Sequence, residues 1–544
     1  MNTKKLKLIV TSICVITFCL KSSAQIGFDT KYYDGGTLNT NEIGEQGVID
    51  PSDNLYVAGE YNSTGTNTAI HIVKYPANGS APLHVTYNYS GTNYNEKVVK
   101  LFWGSNNQLY VVIKALGASP LINSLLVLRY NSSLTLLNAS PTSFGAFTIV
   151  DACMDAANNL YVAGITTNGS VSNSLQVMKL NAGLVQQSTY NFYYKNSTDS
   201  IVEEPKNIIN IGTDIYIAGR AFDPYTSKSG TVLIKLNTSL QQQWKKAQTL
   251  NIYRNVYNSV AVYNGGVYVT GIKASNKSWY MDLYSSSTGA LIISNSSPLS
   301  GYESEGLKIT YAGAAGIYAA GYRKSTTLNQ YKATIRKWDA GTLMGALNYY
   351  TETMPASAQI NDAKSRIIGT TVNSYFTGTK PVSGGHSNMF FRIVNAPNTL
   401  YYSDSIVNHS CAGNNIVLRN GLSSNPQDFA TVIGYQDKAV SAIQPHDYKF
   451  FTRIYYYPIH RLASNDLSNQ SFFMLYPNPA NDQITIKNSE VIKSWTLLDI
   501  QGRIVLKNEN AHENFSNVID ISALPKGMYF ITVNNQQSQK FIKE

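Results

Sequence analysis

Acidic residues recur along this sequence at one place in a repeated pattern. Glu45, Glu96, Asp151, Glu204, Glu305 and Asp362 each stand 10–14 residues ahead of a tyrosine in a short apolar strand, and Asn258 fills the place in one further copy. A ring of such acids near the mouth of a central channel would hold a cation or a polar ligand. The plainer alternative is that each acid caps its own turn or pairs with a Lys or Arg of a neighbouring unit. A ligand rarely needs the same group from every repeat, so the structural role is favoured. Glu204 and Glu305 are the candidate catalytic pair, because glycoside cleavage needs two carboxyls about 5–10 Å apart across a cleft. Acids such as Glu203-Glu204 and Glu303/Glu305 are also common on exposed turns, which weighs against that role. Tyr61, Tyr225 and Tyr322 are loop aromatics able to stack on sugars, though with 39 tyrosines in the chain the coincidence says little.

Other chemistries find no support. The seven histidines, His71, His84, His386, His409, His446, His460 and His512, show no zinc-site spacing. There is no phosphate-binding glycine loop and no nucleophile elbow, and Asp53 and Asp155 precede turns without the alternating acids of a calcium loop. The expectation is therefore no metal and no cofactor. The net charge of +10 falls to +6 once Lys4, Lys5, Lys7 and Lys21 of the N-terminal segment are set aside, and no Lys/Arg run remains to make a nucleic-acid stripe. Beyond that segment only Cys153 and Cys411 remain, which rules out a disulfide scaffold and leaves either one pair or two buried thiols.

The elements that must position these residues are strands. The chain has 544 residues, 43% hydrophobic and only 14% charged, with 38 glycines and no long run of helix formers. A motif recurs seven times: Leu55-Tyr56-Val57-Ala58-Gly59, then the copies around Tyr110, Tyr161, Tyr216, Tyr268, Tyr318 and Tyr375, at steps of 50–57 residues. Each copy reads as an alternating strand, an Asn/Asp/Gly turn, the tyrosine strand, a polar loop, and third and fourth strands. The third strand carries Lys74, Arg129, Lys179, Lys235, Asp282, Arg336 and Arg392 in turn. Four antiparallel strands per ~50 residues is the pattern of a propeller blade, in which no sheet buries both faces alone. The fold expected is all-β: a β-propeller of seven blades, with eight as the alternative. Ile26 to Tyr33 resembles a fourth strand but precedes the first copy, so the chain's return would complete that same sheet and remove a free edge. Asp155 to Gly164 with Lys179 resembles a bacterial β-propeller repeat family over residues ~40–395; the resemblance implies the fold and a secreted location, and no activity.

The two ends read as address signals. Residues 1–24 have Lys4, Lys5 and Lys7 at the start, an apolar run from Leu8 to Leu20 and small residues at Ser22-Ser23-Ala24, the order of a secretory signal peptide; the run is shorter than the about 20 residues a bilayer span needs, and no later segment would span a membrane. The propeller is assigned to 25–400, a propeller extension or degenerate extra blade to 401–461, a polar linker to 462–470 and a small immunoglobulin-like β-sandwich to 471–544. This last segment carries Tyr476-Pro477-Asn478-Pro479, Leu498-Asp499-Ile500-Gln501-Gly502-Arg503, Leu524-Pro525-Lys526-Gly527-Met528-Tyr529 and a final Lys540-Phe541-Ile542-Lys543-Glu544. In these blocks it closely resembles the type A C-terminal sorting domain of the Bacteroidetes type IX secretion system. The resemblance makes Tyr476, Pro477, Asn478, Pro479, Asp499, Gly502, Arg503, Leu524, Pro525, Gly527, Tyr529, Lys540 and Lys543 the sorting signal. It implies the secretion machinery and a sortase-like peptidase as partners, and release or linkage to surface lipopolysaccharide. The function expected is a non-catalytic glycan- or protein-binding or adhesion module at the cell surface. The alternative is a carbohydrate-active hydrolase or lyase with its site at the acidic channel mouth, and a surface-layer component is a third.

Overall fold

The computed structural model describes residues 27–544 apart from a set of short connecting segments, the longest being 419–427, 438–447 and 457–472. The signal-peptide assignment, residues 1–24, and the linker assignment, 462–470, lie outside the described residues. The described residues contain no helix and no span apolar enough to cross a membrane as one. They divide into two units, 1–458 and 459–544.

The first unit holds eight four-stranded antiparallel sheets. In seven of them the strands follow in chain order, and the first strands are Asn41–Ile49, Tyr94–Trp103, Phe147–Met154, Val202–Ile211, Val256–Tyr263, Tyr302–Gly313 and Gln359–Ile368. The eighth is built from Cys411–Leu418, Asp428–Asp437 and Tyr448–Tyr456, and its fourth strand is Gly27–Tyr33 from the other end of the chain. Gly27 pairs with Tyr456 and Tyr33 with Phe450, so the strand expected to close the array does so. The count of seven from tyrosines misses this sheet because Thr431 stands at the tyrosine's place, three residues before Gly434.

Each first strand packs against the sheet before it, and Asn41–Ile49 packs against the eighth sheet, so the contacts return to their start. The first strands are innermost. The fourth strands carry exposed apolar residues such as Leu83, Leu136 and Leu291, as outer strands do. The tyrosine strands are buried on both faces: Leu55, Tyr56, Val57 and Ala58 are all fully buried, and a side chain such as Leu55 or Val57 contributes about 1.5–3 kcal/mol relative to exposure.

The glycine that ends the motif has a steric cause. Every first strand carries a one-residue irregularity, for example between Gly44 and Gln46 or between Tyr257 and Ser259. There the first strand's backbone swings toward the second, as a bulge does. A Cβ on Gly271 would lie 1.8 Å from the Val256 carbonyl oxygen, and one on Gly434 would lie 1.8 Å from that of Ala412.

The second unit has a three-stranded sheet, Phe473–Tyr476, Gln483–Ile492 and Asn514–Asp520, and a four-stranded sheet of Ile504–Asn508, Trp495–Asp499, Gly527–Val533 and Gln537–Lys543. Ile484, Ile486 and Ile519 of the first sheet share one core with Leu497, Ile531 and Phe541 of the second. Its signature residues fix turns. Asn478 accepts the Ile542 backbone N–H at 3.0 Å and donates to the Lys540 carbonyl at 3.1 Å, tying the Pro-Asn-Pro segment to the last strand. Asp499 accepts from the backbone of Gln501 and Arg503 and from Arg503 Nε at 2.7 Å, closing a hairpin in which Gly502 has φ of +78°. Tyr529 donates its hydroxyl to the Pro525 carbonyl at 2.8 Å.

The glycine constraint makes a test. Gly271→Ala should lower stability by about 1–3 kcal/mol, the usual cost of overpacking, measured as a shift in denaturation midpoint. An unchanged midpoint would mean that the bulge is not needed.

Candidate functional site

The innermost strands are sheet edges, and their polar side chains are used to join one sheet to the next. The residue after each irregularity occupies one equivalent place: Gln46, Lys100, Asp151, Asn207, Ser259, Lys308, Asp362 and Asn415. From there Asp151 accepts the Ile208 N–H at 3.1 Å, Asn207 accepts that of Val260 at 3.0 Å, and Ser259 that of Ile309 at 3.1 Å. Asp362 accepts from Ile416 at 2.9 Å, and Asn415 from Gly47 at 3.2 Å, which carries the belt across the chain's closure. Two lysines complete it: Lys100 reaches Asp151 at 2.7 Å, and Lys308 pairs with Asp362. Between the first and second sheets the tie comes from Glu45, which accepts the Val98 N–H at 2.8 Å.

The six acids read as one ring thus occupy different places. Asp151 and Asp362 belong to the belt. Glu45 is the extra residue of its own irregularity, whereas Glu204 and Glu305 lie two residues before theirs, at Lys206 and Leu307, and Glu96 lies three before Val99. Counting back from the tyrosine hides this, since the hairpins between first and second strands differ in length.

Each acid that the structure resolves in detail has a partner. Glu204 is held by Lys206 at 2.5 Å and Arg220 at 2.7 Å. Burial works against its charge, but these two cations outweigh it and hold the carboxyl below its ordinary range. A general acid needs the opposite shift. Glu305 accepts from Tyr322 at 2.6 Å and from Asn258 at 2.8 Å, so three residues singled out separately in the sequence meet across the fifth and sixth sheets. Glu45 lies 2.9 Å from Lys97, yet burial, with the charge of Glu60, raises it to about 7. Lys97 is held above its own range: burial opposes its charge, but Glu45 and Glu60 prevail.

The third-strand cations form a second set of ties. Lys74, Arg129 and Lys179 lie directly across from Tyr56, Tyr110 and Tyr161 and reach the Ser132, Ala182 and Thr238 carbonyls of the next sheet at 2.8, 2.6 and 2.7 Å. The tyrosine hydroxyls donate to the same three carbonyls. Lys235 reaches the Ser286 carbonyl at 3.1 Å in the same way. Asp282, Arg336 and Arg392 do not share this place. Tyr318 faces Lys337, Arg336 lies against the Trp279 ring at 5.0 Å, and Asp282 is buried with the Tyr257 hydroxyl at 2.7 Å.

Of the three aromatics expected in loops only Tyr225 lies outside a strand, and it is 83% exposed; Tyr61 is in the strand Leu55–Asn62, where it packs on His71 with ring centroids 5.6 Å apart, and Tyr322 is in the strand Gly316–Ser325. A cleft of about 360 Å³ is lined by Tyr263, Tyr268, Leu283, Ile292 and Gly341, beside the turn Asn264-Gly265. Cys153 and Cys411 are buried and not joined in a disulfide, and burial raises both thiols, Cys411 to about 11. Sequence reading passed over Lys100, Lys308 and Asn415, whose only signal is their position after an irregularity that spacing does not reveal.

Comparison with known proteins bears on the end of the chain first. Residues 474–544 match the family described as the secretion system C-terminal sorting domain. Beta-agarase A of Zobellia galactanivorans is 37% identical over 71 residues, which is 13% of this chain and 13% of the agarase. Among solved structures, Sqt1 from Chaetomium thermophilum aligns with 78% of this chain and 98% of its own at 9% identity and a TM-score of 0.45. The polysaccharide lyase Uly1 aligns with 67% and 92% at 10% identity and a TM-score of 0.40. Substrates and active sites do not transfer at that similarity. The sorting domain directs export by the type IX secretion system to the cell surface or beyond.

The raised Glu45 sets a pH test. A carboxyl raised in the folded state stabilises fully below its unfolded value of about 4.5 and loses that contribution as pH climbs toward 7. Glu45→Gln keeps an acceptor for Val98 without the charge. Relative to the variant, the native chain should lose on the order of 2–3 kcal/mol between pH 4.5 and 7.5, at about 1.4 kcal/mol per pKa unit. Parallel stability curves over that range would show that Glu45 is not raised.

Proposed function

We propose that this chain is a surface-delivered binding module: a closed eight-bladed β-propeller that presents a glycan or protein site, followed by an immunoglobulin-like sorting sandwich. The observation that carries the non-catalytic reading is the use of the candidate acids. Asp151, Asp362 and Glu45 bind the next sheet's backbone, and Glu204 is neutralised by two cations. Carboxyls committed in this way are not poised for acid–base work. In this reading residues 1–24 carry the chain across the inner membrane of a Bacteroidetes cell. The tail then takes it through the outer membrane and is removed by a sortase-like peptidase, with the cargo released or joined to surface lipopolysaccharide. The likeness to beta-agarase A covers 71 residues, 13% of each chain, so agarase chemistry does not come with it.

One observation favours the second reading, a carbohydrate-active hydrolase or lyase. Glu305, Tyr322 and Asn258 form a hydrogen-bonded carboxyl–phenol–amide group in which Glu305 is buried and Tyr322 and Asn258 are half-buried. Glu204→Gln and Glu305→Gln separate the two. A binding module keeps at least part of its affinity on a glycan array, whereas a hydrolase or lyase loses all turnover of the polysaccharide it cleaves.

The route has its own test. A chain ending at Gln470 should accumulate in the periplasm with its propeller folded, followed by cell fractionation. Normal export of that shortened chain would refute the assignment of the tail.

A further inference from the structure

The first strands place one residue directly across from each motif tyrosine, and that place is apolar or aromatic in six sheets. It is Val48 opposite Tyr56, Phe102 opposite Tyr110, Cys153 opposite Tyr161, Ile209 opposite Tyr216, Ala261 opposite Tyr268 and Tyr311 opposite Tyr318. In the seventh sheet the residue opposite Tyr375 is Lys364. Lys364 is half-buried there, and taking an ammonium out of water is costly to the extent that nothing compensates it. Among the described residues, the Lys364 ammonium makes no hydrogen bond and no ion pair within 4.0 Å, while its strand's backbone is paired. Its surroundings are already cationic. Lys308 on the sixth sheet and Lys100 on the second both act on it electrostatically, as does Asp362 two residues away on its own strand. Burial, together with those two lysines and against the pull of Asp362, lowers Lys364 to about 8.

Asp362 and Asp151 are engaged by Lys308 and Lys100, so of three lysines and two aspartates one positive charge is left over. The lysine side chains stay 44% and 34% exposed while their aspartates are 5% and 13% exposed, so the cations reach solvent at the inner strands and the anions do not. Its strand also packs on the sixth sheet, whose first strand carries Glu303 and Glu305, and Arg366 follows on its own strand, but among the described residues Asp362 is the one acid that acts appreciably on Lys364. Cys411 is the one titratable residue on the first strand of the eighth sheet, and Tyr375 and Lys380 are those on the second strand of its own sheet.

We infer that Lys364, with Lys100 and Lys308, forms an oxyanion site at the innermost strands, taking a sulfate, phosphate or carboxylate group that is either free or carried on an acidic glycan. This site does not depend on whether the propeller binds or cleaves glycans. The ligand would supply the counter-charge that the protein omits, and no acid of the belt would have to leave its partner.

The test titrates the full chain with sodium sulfate and with sodium phosphate against chloride at constant ionic strength, by calorimetry at pH 7. Saturable binding is expected. It should weaken at least tenfold in Lys364→Met, stay unchanged in the exposed-lysine control Lys246→Met, and fall away by pH 9.5 as the amine loses its proton. Should Lys364→Met not fold, lysine-labelled native protein gives the answer by NMR: the Lys364 amine should titrate near 8 and shift upward when sulfate is added. A sulfated oligosaccharide that displaces sulfate identifies a glycan-borne group as ligand, and one that does not identifies the free ion. No preference for sulfate or phosphate over chloride, or a Lys364 titration that sulfate leaves unmoved, overturns the proposal.

Discussion

The innermost strand of every sheet is an edge, and an edge must dispose of backbone N–H groups that no neighbouring strand accepts. The structure answers with one device: a single-residue irregularity that turns the following side chain toward the next sheet's backbone. Asp151, Asn207, Ser259, Asp362 and Asn415 all accept from the first strand of the next sheet in this way. Each such bond contributes only about 0.5–1.5 kcal/mol net, but leaving the buried N–H without a partner would cost about 1–3 kcal/mol. Because Asn415 reaches Gly47 across the chain's closure, the series has no terminal member left unpaired.

That device decides what the acids are for. The same place accepts Asp, Asn or Ser as an acceptor, so charge there is not required by the hydrogen bond. Where Asp is used, at Asp151 and Asp362, the preceding sheet supplies a lysine. A buried carboxylate is tolerable when a cation and backbone donors share it, and removing either partner is costly. Lys100 shows the result: burial opposes its charge, but Asp151 holds it above its ordinary range. The belt is thus an electrostatic arrangement made for closure, and Lys364 departs from it as a cation without a matched carboxylate.

The tyrosine motif was legible because identity and role coincide in it. Tyr56, Tyr110 and Tyr161 each place an aromatic face against a third-strand cation or beside it and a hydroxyl on the next sheet's turn, and only a few residue types do both. Closure by Gly27–Tyr33 was legible for the same reason, as a fourth-strand pattern out of place. The eighth sheet was legible only as an alternative, since Thr431 makes neither contact of a tyrosine, while Gly434 there meets the same steric demand without announcing it. The acids misled because spacing from the tyrosine runs through a hairpin of variable length. Asp151 and Asp362 share one structural place at 10 and 13 residues from their tyrosines, and Glu204, at 12, does not share it.

The second unit follows the opposite logic, and this explains why its family could be read from a few short blocks. Its core is interchangeable aliphatic packing, with Ile484, Ile486, Leu497 and Ile531 doing what any similar set would do. The residues that cannot be exchanged are those that lock turns: Asn478 against the last strand, Asp499 under its hairpin, Tyr529 on Pro525. A segment whose turns are fixed by side chain–backbone bonds keeps the same residues at the same offsets, because each bond needs one acceptor or donor at one distance along the chain. The first unit distributes its constraint over the joints between eight similar sheets. The tail concentrates its constraint in three turns, so a few residues at fixed offsets are enough to mark it.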